Sequence, residues 1–310
     1  MSEDQNKALD ELFGVVSSEA FEYELPAKDE LIKNTLQLRA GYIVNSQANA
    51  TDMVMAEPAL KGRLKHELFS GRTFIDLPIA GITGLDKIYS PISNMCTTVD
   101  LADEHVRAIH YHLEKKYQCT LSERYVGNGL AQLASQKRYD AAINYLEECE
   151  RLADEDVSGF AEDEIAYHLG IPEDMLTSEY VLYTGHVIPR WLTAMVARSY
   201  IPGYKHDWCL TLPGAQGVGK SGLLRILAGG PQFFKDDLPA DLKSKDAKQG
   251  LRGVLVAEMA EFTQNKKNEQ EVFKAFITTQ EDRFRPAYGK YDVVVPRRTV
   301  FAITTNKQSF

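Results

Sequence analysis

Cysteine is scarce in this chain: four among 310 residues, at positions 96, 119, 149 and 209, with no C-x-x-C pair. That excludes a disulfide framework and a cysteine-built zinc site, and suits reduced, mostly buried thiols of a cytosolic protein. Long apolar runs are absent too; none approaches the roughly 18 residues of a membrane helix. The opening Met1-Ser2-Glu3-Asp4-Gln5 lacks the basic flank and apolar stretch of a secretory leader, so a cytoplasmic location is expected. No internal repeat and no low-complexity segment is visible. With 44% hydrophobic residues, there is ample material for one large or two ordinary domains.

An even spread of charge is also missing. The net charge is −9, yet residues 190–310 hold 19 Lys+Arg against 12 Asp+Glu, and residues 1–189 hold 16 against 32. Basic charge sits in the second half, where phosphates are expected, and the acidic half reads as a solvated face.

What is present is a short apolar run, Trp208–Leu212, leading into Gly214-Ala215-Gln216-Gly217-Val218-Gly219-Lys220-Ser221, with Gly222–Ala228 continuing at helical spacing. Strand, glycine-rich loop and helix are the context that makes G-x-x-x-x-G-K-[ST] a credible P-loop. The glycines let backbone N–H groups curl round phosphate oxygens at a helix N-terminus. Gly214, Gln216, Gly217, Val218, Gly219, Lys220, Ser221 and Gly222 are the expected nucleotide-binding residues. Lys220 reaches the β/γ-phosphates, and the Ser221 hydroxyl is a ligand for Mg²⁺.

The first half carries less chemistry. Leu9, Leu12, Phe13 and Val16 repeat at helical spacing, and residues 22–100 mix Gly, Pro and Asn without a clear pattern. From Asp103 helices are expected, with Val106, Ile109, Leu113 and Tyr117 on one face and Ile143, Leu146 and Leu152 on another. His105, His110 and His112 sit at spacings that do not converge on one helix face, so metal ligation is not expected. A new helix is expected to start at Pro189, carrying Trp191, Leu192, Met195 and Val196 towards a core. The boundary is placed between a mainly helical region, 1–185, and a P-loop domain, 186–310.

Downstream, Phe233-Phe234 begins a short strand, residues 245–251 look helical, and Gly253–Ala260 is an apolar strand holding Glu258. Glu258 fits a Walker B carboxylate that holds Mg²⁺, and the spacing from Lys220 leaves room for one strand–helix crossover. Glu261 either orients the attacking water or points to solvent. A helix with Val272, Phe273, Phe276 and Ile277 as its apolar face follows. Arg283, Arg285, Tyr288 and Lys290, interleaved with aromatics, and Arg297-Arg298 after the next strand, suit nucleic-acid phosphates and bases. A structural hairpin tied by salt bridges to Glu281 or Asp282 is the competing account. The strand Thr299–Ile303 ends in Thr304-Thr305-Asn306, which places Asn306 where a polar group can position water.

These pieces together resemble the virulence-associated E family of phage and genomic-island proteins, which is similar to superfamily-3 helicases with an AAA+-type core. The resemblance runs from about Val196 to Asn306. It takes in Ala197-Arg198, Pro202–Lys205, the Gly214–Ser221 loop, Leu251-Arg252-Gly253, Glu258–Glu261, Lys274–Thr278, Asp282–Gly289, Pro296–Arg298 and Thr304–Asn306. It implies an α/β fold with a three-layer core, ATP and Mg²⁺ as ligands, and ATP-dependent action on single-stranded or forked DNA during replication. A homo-oligomeric ring in a bacterial or phage-infected cytoplasm follows from the same resemblance. Glu258, Glu261 and Asn306 would be catalytic. Family members continue past Thr-Thr-Asn into paired arginines, so poor hydrolysis is expected of residues 1–310 alone. Two rivals remain: a non-catalytic nucleotide-binding module and a P-loop kinase of small molecules.

Overall fold

The computed structural model describes residues 28–86, 97–153, 178–239, 241–260, 267–286 and 289–306. The expected helix around Leu9–Val16, Glu261 and Tyr288 lie outside them. The chain forms two compact units, one of residues 1–64, 76–98 and 102–133, the other of residues 65–75, 99–101 and 134–310.

The first unit contains α1 (Lys28–Asn34) and a small antiparallel hairpin of β1 (Leu38–Arg39) and β2 (Tyr42–Ile43). Ala40 and Gly41 turn that hairpin with φ of 51° and 82°, the left-handed pair that matches strand twist. Helix α2 (Gln47–Met55) starts at Ser46, whose hydroxyl accepts from the Asn49 N–H at 3.2 Å. In α3 (Asp103–Tyr117), Ile109, Leu113 and Tyr117 are buried as their spacing requires, and Val106 is half-buried. In α4 (Glu123–Ser135), Val126 and Leu130 are buried. The histidines of α3 bind protein groups. His105 Nδ1 accepts from the Ala102 N–H at 2.9 Å, His110 Nε2 lies 3.0 Å from the Leu121 carbonyl, and His112 Nε2 lies 3.2 Å from Glu57.

Residues 64–100 hold strands that a mainly helical expectation for residues 1–185 left out. With β3 (Leu64–Glu67), β4 (Thr73–Leu77), β5 (Thr97–Asp100) and β6 (Arg138–Tyr139), they form a sheet ordered β5-β4-β3-β6. Each strand is five residues or fewer, too short for a period-2 pattern to stand out between turns.

The second unit is built on four parallel strands, β7 (Cys209–Pro213), β8 (Phe234–Lys235), β9 (Val256–Ala260) and β12 (Val300–Thr305), ordered β7-β12-β9-β8. β12 is buried along its whole length and β9 at all but Ala260, as strands covered on both faces must be. Side-chain alternation divides the core. Leu210, Val256, Val300 and Ala302 pack with α5 (Ala141–Leu152), α6 (Ser178–Tyr200) and α7 (Lys220–Leu227). Ala257, Met259, Phe301 and Ile303 pack with α8 (Lys245–Gln249) and α9 (Lys267–Thr278). The result is three layers. A separate antiparallel hairpin joins β10 (Glu281–Phe284) to β11 (Val293–Pro296).

Two expectations need correction. Pro189 does not start a helix; it lies inside the 23-residue α6, and the boundary at 185/186 falls within that helix. An interior proline forfeits a backbone bond and costs about 3 kcal/mol. Against this, Ile188, Trp191, Ala194 and Met195 are buried, and the Trp191 indole donates to the Phe301 carbonyl at 2.9 Å. Val196 points out, 37% exposed. In α5 the fully buried residue is Ala142, while Ile143 and Leu146 are half-buried and Leu152 is exposed.

Candidate functional site

The loop Gly214–Gly219 leaves the C-terminal end of β7 and enters α7 at Lys220. Gly217 and Gly219 have φ of 82° and 90°, and a Cβ on either would meet nothing within 4 Å. Glycine is therefore needed there for backbone conformation, not for room. The Gly214 N–H donates to the Thr305 carbonyl at 3.0 Å, which pins the start of the loop to β12.

Strand parity gathers the remaining groups. Glu258 shares the face of Val256, and Thr304 that of Ala302, so both point to the layer holding α7. The Ser221 hydroxyl donates to Glu258 Oε1 at 2.8 Å, and the Thr304 hydroxyl donates to the same oxygen. Glu258 is 1% exposed, and its other oxygen, Oε2, is buried with no hydrogen-bond partner. A buried carboxylate oxygen without a donor is costly. A divalent cation beside Ser221 would supply what it lacks, and a donor set of one carboxylate and one hydroxyl is compatible with Mg²⁺.

Lys220 Nζ donates to the carbonyls of Gly214 at 2.7 Å and Ala215 at 2.8 Å, and to Asn306 Oδ1 at 3.3 Å. The ammonium is thus held over the loop by groups that an anion can replace. Lys220, Ser221, Gln216, Thr304 and Asn306 line an open cavity of about 350 Å³ together with Gly217, Val218, Gly219, Gly222 and Ala260. Asn306 follows the last residue of β12. Thr304 has a role that the sequence does not signal, because it depends on the pairing of β12 with β9. At the other end of β7, burial pushes the Cys209 thiol up to about 12, as befits a group packed against the core.

The basic residues expected to contact nucleic acid divide into two sets. Arg283, Arg285 and Lys290 are exposed around the β10–β11 hairpin, where Arg285 Nε donates to the Gly289 carbonyl at 2.7 Å. Arg297 and Arg298 are not on that surface, and this corrects their assignment. Arg297 is 2% exposed and forms a two-pronged pair with Asp282 at 2.9 and 2.6 Å. It also donates to the Phe276 carbonyl and lies 4.6 Å from that ring's centre. Arg298 pairs with Asp140 at 2.5 and 3.0 Å over the Phe69 ring. Asp140 also caps α5 by accepting from the Ala142 and Ile143 N–H groups. Both arginines are held by carboxylates and aromatic faces inside the unit.

Fold and site together define a class: an α/β domain with a parallel sheet and a glycine-rich loop at the head of a helix, faced by a buried carboxylate. Residues 157–310 match the model of the Virulence-associated protein E-like domain, which supports the family that the motifs suggest. No curated protein matches the chain. Among solved structures, the apo structure of the NrS-1 C terminal region is similar at 13% identity and a TM-score of 0.39, over 79% of this chain and 54% of that one. The A form apo structure of that region is similar at 19% identity and a TM-score of 0.32, over 46% and 33%. The chain thus spans about a third to a half of the structures it matches.

Proposed function

We propose that the second unit binds ATP with Mg²⁺ in the Gly214–Ser221 loop and hydrolyses it, in the service of replication of a phage or other mobile element. The observation that carries this is the convergence of Lys220, Ser221 and Asn306 on one cavity, with the buried Glu258 carboxylate hydrogen-bonded to Ser221. The sheet order supports the AAA+-like, superfamily-3 type of core, because β12 lies between β7 and β9. That insertion brings Thr304 and Asn306 between the loop and Glu258, a place from which a side chain can reach both a γ-phosphate and water.

Each residue then has a role. Backbone N–H groups at the start of α7 receive the β-phosphate oxygens. Lys220 exchanges its carbonyl contacts for phosphate. Ser221 and Glu258 hold the metal, which when bound neutralises charge on the β- and γ-oxygens. Thr304 fixes one Glu258 oxygen, and the other would be available to a metal ion. Asn306 positions the attacking water. The exposed Arg283, Arg285 and Lys290 are the surface for single-stranded or forked DNA, and a ring of copies is the assembly in which the family's activity is expected. The test is Mg²⁺-dependent phosphate release from ATP, with and without single-stranded DNA. Stimulation by DNA that vanishes in Lys220→Ala is the expected result, and absence of ATP binding in the parent chain refutes the proposal.

A further inference from the structure

A second basic cavity lies far from the glycine-rich loop. It has a volume of about 200 Å³; Lys248, Arg252, Arg297 and Arg298 share its wall with Asp282, the one carboxylate there, and with apolar residues such as Leu68, Phe69 and Val295. Thr299 precedes β12, and Leu251, which also lines the cavity, precedes β9. In a parallel sheet this is the N-terminal end of the strands, whereas the loop sits at the C-terminal end. The six residues of β12 separate the two by about 20 Å at roughly 3.3 Å per residue.

Charge in the cavity is only partly balanced by ion pairs among the described residues. Arg297 is neutralised by Asp282 and Arg298 by Asp140. Arg252 makes no hydrogen bond or ion pair through its side chain among the described residues, and its Nε is buried without a partner. A guanidinium carries five donors. Arg298 Nε is buried and unpartnered as well, on a side chain 9% exposed. The carboxylate that acts on Arg252 through space is Glu67, whose oxygens already accept from the N–H groups of Phe69, Ser70 and Ala141. Burial lowers the Arg252 pKa, and Glu67 only partly opposes that. Leaving a buried donor unmade is expensive, and the Arg252 side chain on this wall finds no acceptor among the described residues.

The position of Arg252 is also built. Its Nη2 would lie 1.7 Å from a Cβ on Gly71, which has φ of 69°. Gly253, with φ of 77°, packs against Ser70, whose Cβ would lie 2.8 Å from an added methyl. Gly71 therefore clears the ground on which the guanidinium rests, and Gly253 lets the backbone beside Arg252 approach Ser70. The cavity is smaller than the roughly 300–1,000 Å³ of sites for whole small molecules, so it suits a single oxyanion group.

We propose that this cavity is a second oxyanion site, built on Arg252 with Lys248, that takes a phosphate group. The phosphate comes either free or as part of a nucleic-acid backbone. The site does not depend on nucleotide binding at the glycine-rich loop.

The test uses the full chain carrying Lys220→Ala, which weakens phosphate binding at the loop. Calorimetric titration with inorganic phosphate in chloride buffer should show binding, and adding Arg252→Met should weaken it about tenfold to a hundredfold. No phosphate binding in the Lys220→Ala chain, or equal affinity after Arg252→Met, overturns the proposal. Fluorescence anisotropy with an oligothymidylate then separates the sources. Weakening of phosphate alone assigns free phosphate, and weakening of both assigns the backbone. If circular dichroism shows Arg252→Met unfolded, protection is measured in the Lys220→Ala chain instead. Phosphate should slow modification of Arg252 by an arginine-selective dicarbonyl, and an unchanged rate overturns the site. ATP binding by the parent and by the Arg252→Met chain is read separately, so failure at the loop and failure at this cavity are distinguishable.

Discussion

At the scale of the residue, two side chains decide whether the loop handles phosphate. Lys220 spends its three donors on two carbonyls and the Asn306 amide oxygen, none of which is a counter-ion. Lys220→Ala should lower ATP affinity by about tenfold to a hundredfold, the worth of a charge-assisted contact of roughly 1.5–3 kcal/mol. The thermal midpoint should scarcely move, and calorimetry and a melting curve check the pair of outcomes. Glu258 is the harder case because it is buried. Glu258→Gln keeps the shape and the hydrogen-bonding oxygen for Ser221 and Thr304 but removes the anion. ATP binding should persist while Mg²⁺-dependent turnover is lost; turnover at the parental rate would remove Glu258 from the metal site. Both residues were readable from spacing alone, since a P-loop lysine and a carboxylate on a following apolar strand are sequence patterns. Thr304 and the free Glu258 oxygen were not, because they depend on which strand lies between β7 and β9, and no local pattern encodes a strand order.

At the scale of the element, packing overrode punctuation. Pro189 reads as a helix start, yet α6 runs through it because Trp191 and its neighbours gain more from the sheet than one backbone bond costs. Arg297-Arg298 reads as a basic pair, but consecutive residues leaving β11 project in different directions, and each meets a carboxylate distant in sequence. The apolar strands β7, β9 and β12 and the helix α3 were legible; the short strands within residues 64–100 and the continuity of α6 through Pro189 were not. The first unit offers a pH test of one such element contact. Burial raises the Glu57 carboxyl, but hydrogen bonds and charge from His112 and Lys116 outweigh it and bring the group down to about 2, from an ordinary 4.5. Glu57 caps the short turn Pro58–Leu60, and its pair with Lys116 is 2.8 Å long, so the pair ties that turn to α3. A depressed carboxyl contributes stability that is full above the ordinary value and is lost as pH falls from 4.5 through about 2. The contribution is up to about 3 kcal/mol at 1.36 kcal/mol per unit. Urea titrations across that window should show the loss, and Lys116→Met should make the stability less steep in pH over it. An unchanged slope would mean that the ammonium does not hold the carboxyl down.

At the scale of the whole molecule, the uneven charge sets where a polyanion can land. The first 189 residues carry twice as many acidic as basic groups, and the last 121 carry the excess of Lys and Arg. Within that basic region, burial sorts the cations by availability. Arg283, Arg285 and Lys290 are exposed on or beside the hairpin, while Arg297 and Arg298 are committed to Asp282 and Asp140. If the hairpin is the nucleic-acid surface, the three exposed residues should each contribute to the release of counter-ions. The triple alanine variant should flatten the slope of log K against log[salt] for an oligothymidylate by about 0.7 per lost phosphate contact, with little change in the melting temperature. Arg297→Ala should do the opposite. It leaves Asp282 buried and unpaired, a loss of roughly 3–5 kcal/mol of stability, and in the fraction that remains folded the salt slope should match the parent. Anisotropy across a salt series, paired with urea denaturation, reads both quantities. A triple variant that binds with the parental slope would move the DNA surface off the hairpin. Flattening by Arg297→Ala would return the buried arginines to it, because only a cation that meets phosphate can change the number of ions released.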